Sequence, residues 1–292
     1  MPNPSPSPVV VGVTGTSAGL AAVRLAAREA VSRGRELRIV HAFTWSNPHP
    51  DLNYPDQNHD YDGARRTATR IVEAAVATAQ RSTPGVRAQG QVVDGPADQV
   101  LLRLSRTAEL LVLGDDDLAT LPWLPSGSVL VQTVARAWSP VLVARGPRPK
   151  AGPILAAVDG SPGALLGLHL AAAEGARRNV GVVVAHVIEG AGPAAERKGR
   201  DLLAAAVAAV PELADHRLRL LTGTPAAALV QASSQARLTV LGPRGRHDTG
   251  LLGSVARTVL RRAASPTLFA HGGSVPSQRT ATSFRTGKAL AR

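Results

Sequence analysis

The 292-residue chain has no cysteine. That excludes disulfides, thiolate zinc sites and a cysteine nucleophile. Aromatic residues are scarce: three Trp, two Tyr and three Phe. So few rings argue against the base-stacking platform of a single-strand nucleic-acid binder. Long apolar runs are missing too. Runs such as Gly-Val-Val-Val-Ala at 181–185 have the length of a strand. None reaches the ~18 apolar residues that a membrane-spanning helix needs. The N-terminal MPNPSPSP has neither the positive segment nor the apolar stretch of a secretory leader. The expectation is a soluble cytoplasmic protein.

Acidic residues are in deficit, which leaves a net charge of +12. Such a balance points first to a polyanion. The basic residues, however, are spread along the chain, and all but three are Arg. The tail 272–292 carries four basic residues and no acid. There is no dense basic run, helix-turn-helix or RNA-recognition signature. An Arg- and Ala-rich composition accounts for the charge, so nucleic acid is not the expected partner.

What is present is a hydrophobic content of 44%, enough for a globular core. The length suits about two domains. The chain also repeats itself once. Val-Val-Val-Gly-Val at 9–13 answers Ile-Leu-Ala-Ala-Val at 154–158, and each run leads into a small-residue turn. Two apolar runs carry a histidine at matching positions, His41 and His186. Gly95-Pro-Ala matches Gly223-Thr-Pro-Ala, and 110–114 matches 238–242. Gly127-Ser-Val matches Gly253-Ser-Val, and 139–144 matches 265–270. The first half is longer, in part through the segment 44–61, which holds Trp45, Tyr54 and Tyr61. That segment also holds His49, Asp51, His59 and Asp60, but with no metal-ligand spacing.

In the first half the pattern predicts strands near 9–13, 36–43, 86–93, 110–114 and 141–145. Helices are predicted near 17–33, 62–81, 96–107 and 127–137. Short continuous apolar runs alternating with helical patterns indicate a parallel sheet covered on both faces. The expected fold class is α/β, two tandem doubly wound domains, each with a five-stranded parallel sheet flanked by helices. The expected organisation is a disordered N-terminus 1–8, domain 1 at 9–145 and a Pro-rich linker at 146–152. Domain 2 follows at 153–271, and 272–292 is a disordered basic tail.

Ligands of an open α/β sheet sit beyond the carboxyl ends of its strands, where the strand order reverses. In the second half Asp159 ends the first strand and can accept from an adenine or ribose donor. Gly242 and Gly245 follow the fourth strand, where a missing Cβ lets backbone N–H groups approach a phosphate. Gly253-Ser254 opens the last helix, whose N–H groups favour an anion. Arg244 and Arg246 would neutralise phosphate charge. The structural alternative is that the glycines only shape a turn and Ser254 only caps a helix.

The set Val158-Asp-Gly-Ser-Pro, Gly223-Thr-Pro-Ala, Val240-Leu-Gly-Pro-Arg-Gly, Gly253-Ser-Val and Ser265-Pro-Thr-Leu resembles the universal stress protein family. The resemblance covers nearly all of 9–145 and 153–271, so the chain resembles a tandem member. It implies a role in stress or dormancy, ATP or another adenine nucleotide as ligand, magnesium as companion ion and no defined catalysis. It also implies that Ala157 and Val158 flank the adenine, Val187 meets it through backbone, and Leu241 and Val255 complete the wall. It further implies pairing through the last strands, 141–145 and 267–271, either between two copies or between the two halves of one chain.

The chain departs from the family pattern Gly-x2-Gly-x9-Gly-Ser/Thr in both halves. The second half has Gly242-x2-Gly245-x7-Gly253-Ser254, two residues short. The first half keeps the spacing but has Asp117 at the second glycine, acids at 115–117, and Thr14 opposite Asp159. Carboxylates there would repel phosphates. Nucleotide binding is therefore expected at most in domain 2. The alternative is a protein-interaction or signalling module of the same fold that binds no nucleotide. No catalytic triad, paired carboxylates in an apolar setting or metal-ligand spacing points to an enzyme.

Overall fold

β-Branched and leucine runs form the strands, and Ala-rich segments between them form the helices. A computed structural model describes residues 6–45, 57–115, 125–146, 151–190, 192–246 and 248–272. The tail from 273 onward, residues 1–5, Tyr54, His49, Asp51, Asp116, Asp117 and Trp123 lie outside the described residues.

The first half runs β1 (Val9–Gly12), α1 (Ser17–Arg33), β2 (Leu37–Phe43), α2 (Gln57–Ser82) and β3 (Ala88–Asp94). It continues with α3 (Ala97–Leu104), β4 (Leu110–Leu113), α4 (Val129–Arg136) and β5 (Val141–Val143). The second half runs β6 (Ile154–Ala157), α5 (Pro162–Arg178), β7 (Val182–Ile188), α6 (Pro193–Ala208) and β8 (His216–Thr222). It ends with α7 (Pro225–Ser233), β9 (Leu238–Leu241), α8 (Ser254–Arg262) and β10 (Thr267–Phe269).

Local chemistry starts and stops these helices. Thr16 caps α1 by accepting from the Gly19 N–H, and Ser161 caps α5 by accepting from Ala164. Pro162 supplies a first helical residue with no N–H to satisfy. Gly34 and Asn179 end the two helices in the left-handed conformation that L side chains with a branched Cβ avoid. The helix α2 starts at Gln57, inside the stretch expected to be loop. The last of that segment's prolines is Pro55, so helix-breaking residues stop just before it.

Strand order is β3-β2-β1-β4-β5 followed by β10-β9-β6-β7-β8 in one ten-stranded sheet. Within each half every pairing is parallel; only β5 and β10 pair antiparallel, with Leu142 opposite Leu268. The last strands therefore join the two halves of one chain. Each has a neighbour on both sides, so neither offers a free edge to a second copy.

Both faces of the sheet are covered. Val9 and Val11 face the core beneath α1, α2, α5 and α6, while Val10 faces the core beneath α3, α4, α7 and α8. Burial on both faces explains why the strands read as continuous apolar runs.

The halves meet through more than the ladder. Glu29 of α1 and Glu174 of α5 are 1% and 3% exposed. Arg33, Arg177 and Arg178 surround them, with Arg178 to Glu29 at 2.7 Å and Arg33 to Glu174 at 2.5 Å. Arg145, at the end of β5, donates to the Leu260 carbonyl of α8. At the matching position after β10, the His271 Nε2–H donates to the Val134 carbonyl of α4 at 2.7 Å. Burial pushes the His271 imidazolium down, the Val134 carbonyl opposes that, and Arg244 adds to the depression.

Candidate functional site

Strand order reverses between β6 and β9, and a cavity of about 590 Å³ opens beyond their carboxyl ends. The walls are mostly apolar. Ala157 and Val158 come from the end of β6, Ala185 and Val187 from β7, and Leu241 from β9. Pro225 and Leu229 of α7, with Val255 and Ala256 of α8, close the opposite side.

Backbone geometry adds a polar edge. The Val158 N–H donates to the Ala185 carbonyl at 2.9 Å. Alternation along β7 turns the Val187 N–H and C=O to that same side, past the point where β6 ends at Ala157. The His186 Nδ1–H meanwhile donates to the Val158 carbonyl at 2.8 Å, as His41 does to Val13 in the first half. These strand histidines tie two strand ends together.

Asp159 lies at the cavity mouth. One carboxylate oxygen accepts from the Ser161 N–H at 2.9 Å, the other from the Arg246 N–H at 3.1 Å. It thus links the loop after β6 to the loop after β9. Arg244 lines the cavity, whereas the Arg246 guanidinium turns to the Gly160 carbonyl at 3.3 Å.

Gly242 and Gly245 also line the cavity, for two different reasons of space. A Cβ on Gly242 would stand 3.0 Å from the Gly163 backbone, so its absence lets α5 approach β9. A Cβ on Gly245 would crowd the carboxylates of Asp159 and Asp248.

Gly253 and Ser254 are not among the residues lining the cavity. Gly253 is the N-cap of α8 and makes no side-chain cap bond, so Ser254 is the first helical residue. This corrects the alternative that made Ser254 the cap. Its counterpart Ser128 does cap α4, accepting from the Val131 N–H at 3.2 Å.

Sequence reasoning missed Asp248. Its carboxylate accepts from the Gly245 N–H at 2.8 Å and, at a longer 3.4 Å, from the Ser254 N–H. A spacing pattern that counts only glycines and the final serine passes over the residues between them. Ser161, Ala164 and His186 were likewise unassigned and line the cavity. Among the described residues, no group of three or more His, Asp or Glu side chains is placed to hold a metal ion.

The first half has a matching cleft of about 620 Å³, lined by Val13, Thr14, Ala42, Leu101, Leu113 and Val129 among others. Among the described residues, no charged side chain lines it. Asp115 does not line it; its carboxylate pairs with Arg145 at 3.2 Å. That corrects the expectation of a carboxylate at 115 facing the cleft. Trp138 is 56% exposed with Arg106 stacked 5.1 Å from its ring centre. Trp45 and Phe43 instead make edge contacts with Tyr61.

Comparisons with known proteins identify the family and the fold. A sequence model of the universal stress protein family matches residues 7–145 and again 151–271. Universal stress protein Rv2623 of Mycobacterium tuberculosis is 32% identical over 288 residues, which cover 90% of this chain and 95% of that protein. Rv2005c of the same organism is 30% identical over 292 residues, covering 90% and 96%. In fold, the chain is similar to the crystal structure of a universal stress protein from Archaeoglobus fulgidus. The TM-score is 0.69 at 16% identity, covering 92% of this chain and 97% of that one. No helix of the described residues is long and apolar enough to cross a membrane. The chain belongs to the universal stress protein family and carries its domain twice in tandem.

Proposed function

We propose that this tandem universal stress protein acts in a stress or dormancy response and binds an adenine compound in domain 2 alone. The observation that carries the reading is the cavity beyond β6 and β9, with apolar walls, a backbone edge at Val187 and a carboxylate at Asp159. Apolar walls from Ala157, Val158, Leu241 and Val255 suit a flat heterocycle, and few but placed polar groups suit its orientation. The Val187 N–H and C=O match the donor–acceptor edge of adenine, and Asp159 suits a ribose hydroxyl.

Domain 1 supports a second role. Thr14 stands where domain 2 has Asp159, and among the described residues no charged side chain lines its cleft. We assign that half to interaction with another protein rather than to nucleotide.

Equilibrium binding of labelled adenosine, AMP, ADP and ATP, with and without magnesium, tests the assignment. Asp159→Ala is expected to weaken the binding by about tenfold or more, the loss of a charged hydrogen bond. Unchanged binding in a variant that folds like wild type by circular dichroism, or no binding to wild type, would sink the reading.

A further inference from the structure

The groups expected to receive phosphate already hold an anion. The Gly245 N–H donates to the Asp248 carboxylate at 2.8 Å, and the Ser254 N–H at the start of α8 reaches the same carboxylate at 3.4 Å. A Cβ on Gly253 would overlap that carboxylate, so glycine at 253 makes room for it. Asp248 sits in the seven-residue spacer between Gly245 and Gly253, three residues after Gly245. It also lines the cavity.

We propose that Asp248 is a built-in substitute for phosphate, so that the domain 2 cavity selects an uncharged nucleoside over its phosphates. The inference rests on the reading of this cavity as an adenine site.

The physical case has three parts. First, a helix N-terminus and its neighbouring N–H groups stabilise a negative charge, and they stabilise one carboxylate as they would one phosphate. Second, a tethered carboxylate competes at the high effective concentration of an intramolecular group, so an incoming phosphate must displace it. Third, the charge in the cavity is wrong for phosphate. Among the described residues, two carboxylates, Asp159 and Asp248, line it against one guanidinium, Arg244. A phosphate placed beside Asp248 is repelled in a partly desolvated cleft. The apolar walls and the Val187 edge belong to the same cavity and offer contacts to base and sugar that need no phosphate.

Calorimetric titration of the full-length protein with adenosine, AMP and ATP tests the proposal, with and without magnesium. Wild type is expected to bind adenosine more tightly than ATP. Asp248→Ala is expected to raise ATP affinity by about tenfold or more, removing a competing charge, while adenosine affinity stays within about threefold. Asp248→Asn keeps the shape and one accepting oxygen; it should move ATP in the same direction by less, and it decides the matter if the alanine variant does not fold. An ATP-to-adenosine affinity ratio that is the same in wild type and both variants overturns the proposal and leaves the adenine site standing. So does magnesium-dependent ATP binding that Asp248→Ala abolishes, since Asp248 would then be a metal ligand. Absence of binding by all three compounds to every form removes the adenine site, and this inference with it.

Discussion

Glu174 shows what one buried charge does in this fold. Burial pushes its carboxyl up, but Arg33, Arg178 and Arg177 outweigh burial and hold it down to about 2. Its folded value lies below the ordinary value of 4.5, so the unfolded chain binds the proton more readily as acid is added. The stability it contributes is whole above pH 4.5 and is lost as the pH falls from there towards about 2. Glu174→Gln should flatten that window in acid unfolding followed by circular dichroism. It should also cost about 3–5 kcal/mol at neutral pH, because three guanidiniums lose a buried partner. A loss below about 1 kcal/mol, the range of an exposed pair, would show that water already screens the cluster. Nothing in the spacing of Glu29 or Glu174 announced this role. Each sits in an Ala-rich helix and reads as an ordinary surface acid. They sit at matching positions of the two halves, and only the approach of α1 to α5 makes them a network.

At the scale of elements, the helices lie close on the sheet where glycine allows it. Gly90 of β3 faces α2, and a Cβ there would overlap Val72 and come within 2.8 Å of Val76. Gly90→Ala should therefore lower stability by about 1–3 kcal/mol, the cost of overpacking a stiff β-branched contact. A chemical-denaturation midpoint unchanged from wild type would mean that α2 shifts freely. Most elements were legible because caps and periodicity agree. Thr16, Ser161 and Gly34 mark helix ends, and apolar runs mark strands. The exception is the start of α2, read five residues late because it follows a proline-rich segment. The site was legible in part for the same kind of reason. Ala157, Val158, Asp159 and Leu241 sit at strand ends, and strand ends line the cavity. Asp248 was hidden because its position depends on the path of a shortened loop, which residue spacing does not give.

The whole molecule is one sheet made of two halves. The ladder of β5 with β10, the cluster around Glu29 and Glu174, and the paired clasps of Arg145 and His271 all cross between them. A protease site inserted between Gly146 and Ala151 and then cut should leave the halves together. Light scattering should report one particle with the mass of the intact chain. Separation into two particles of half the mass would show that the linker, not the interface, holds them.

The sequence by itself determined the fold class, the duplication and the family, since these follow from local periodicity and from motifs repeated in order. It left open whether the last strands pair within one chain or between two. Only the tertiary structure decided that, by placing Leu142 opposite Leu268 and leaving neither strand an edge. It also placed the charges that matter for a ligand. In the sequence, Arg244 and Arg246 point to an anion in domain 2. In the fold, Arg244 lines the cavity with Asp159 and Asp248, while the Arg246 guanidinium turns to a carbonyl. The potential at a site is set by the distance and direction of nearby charges, and a sequence holds only their sum.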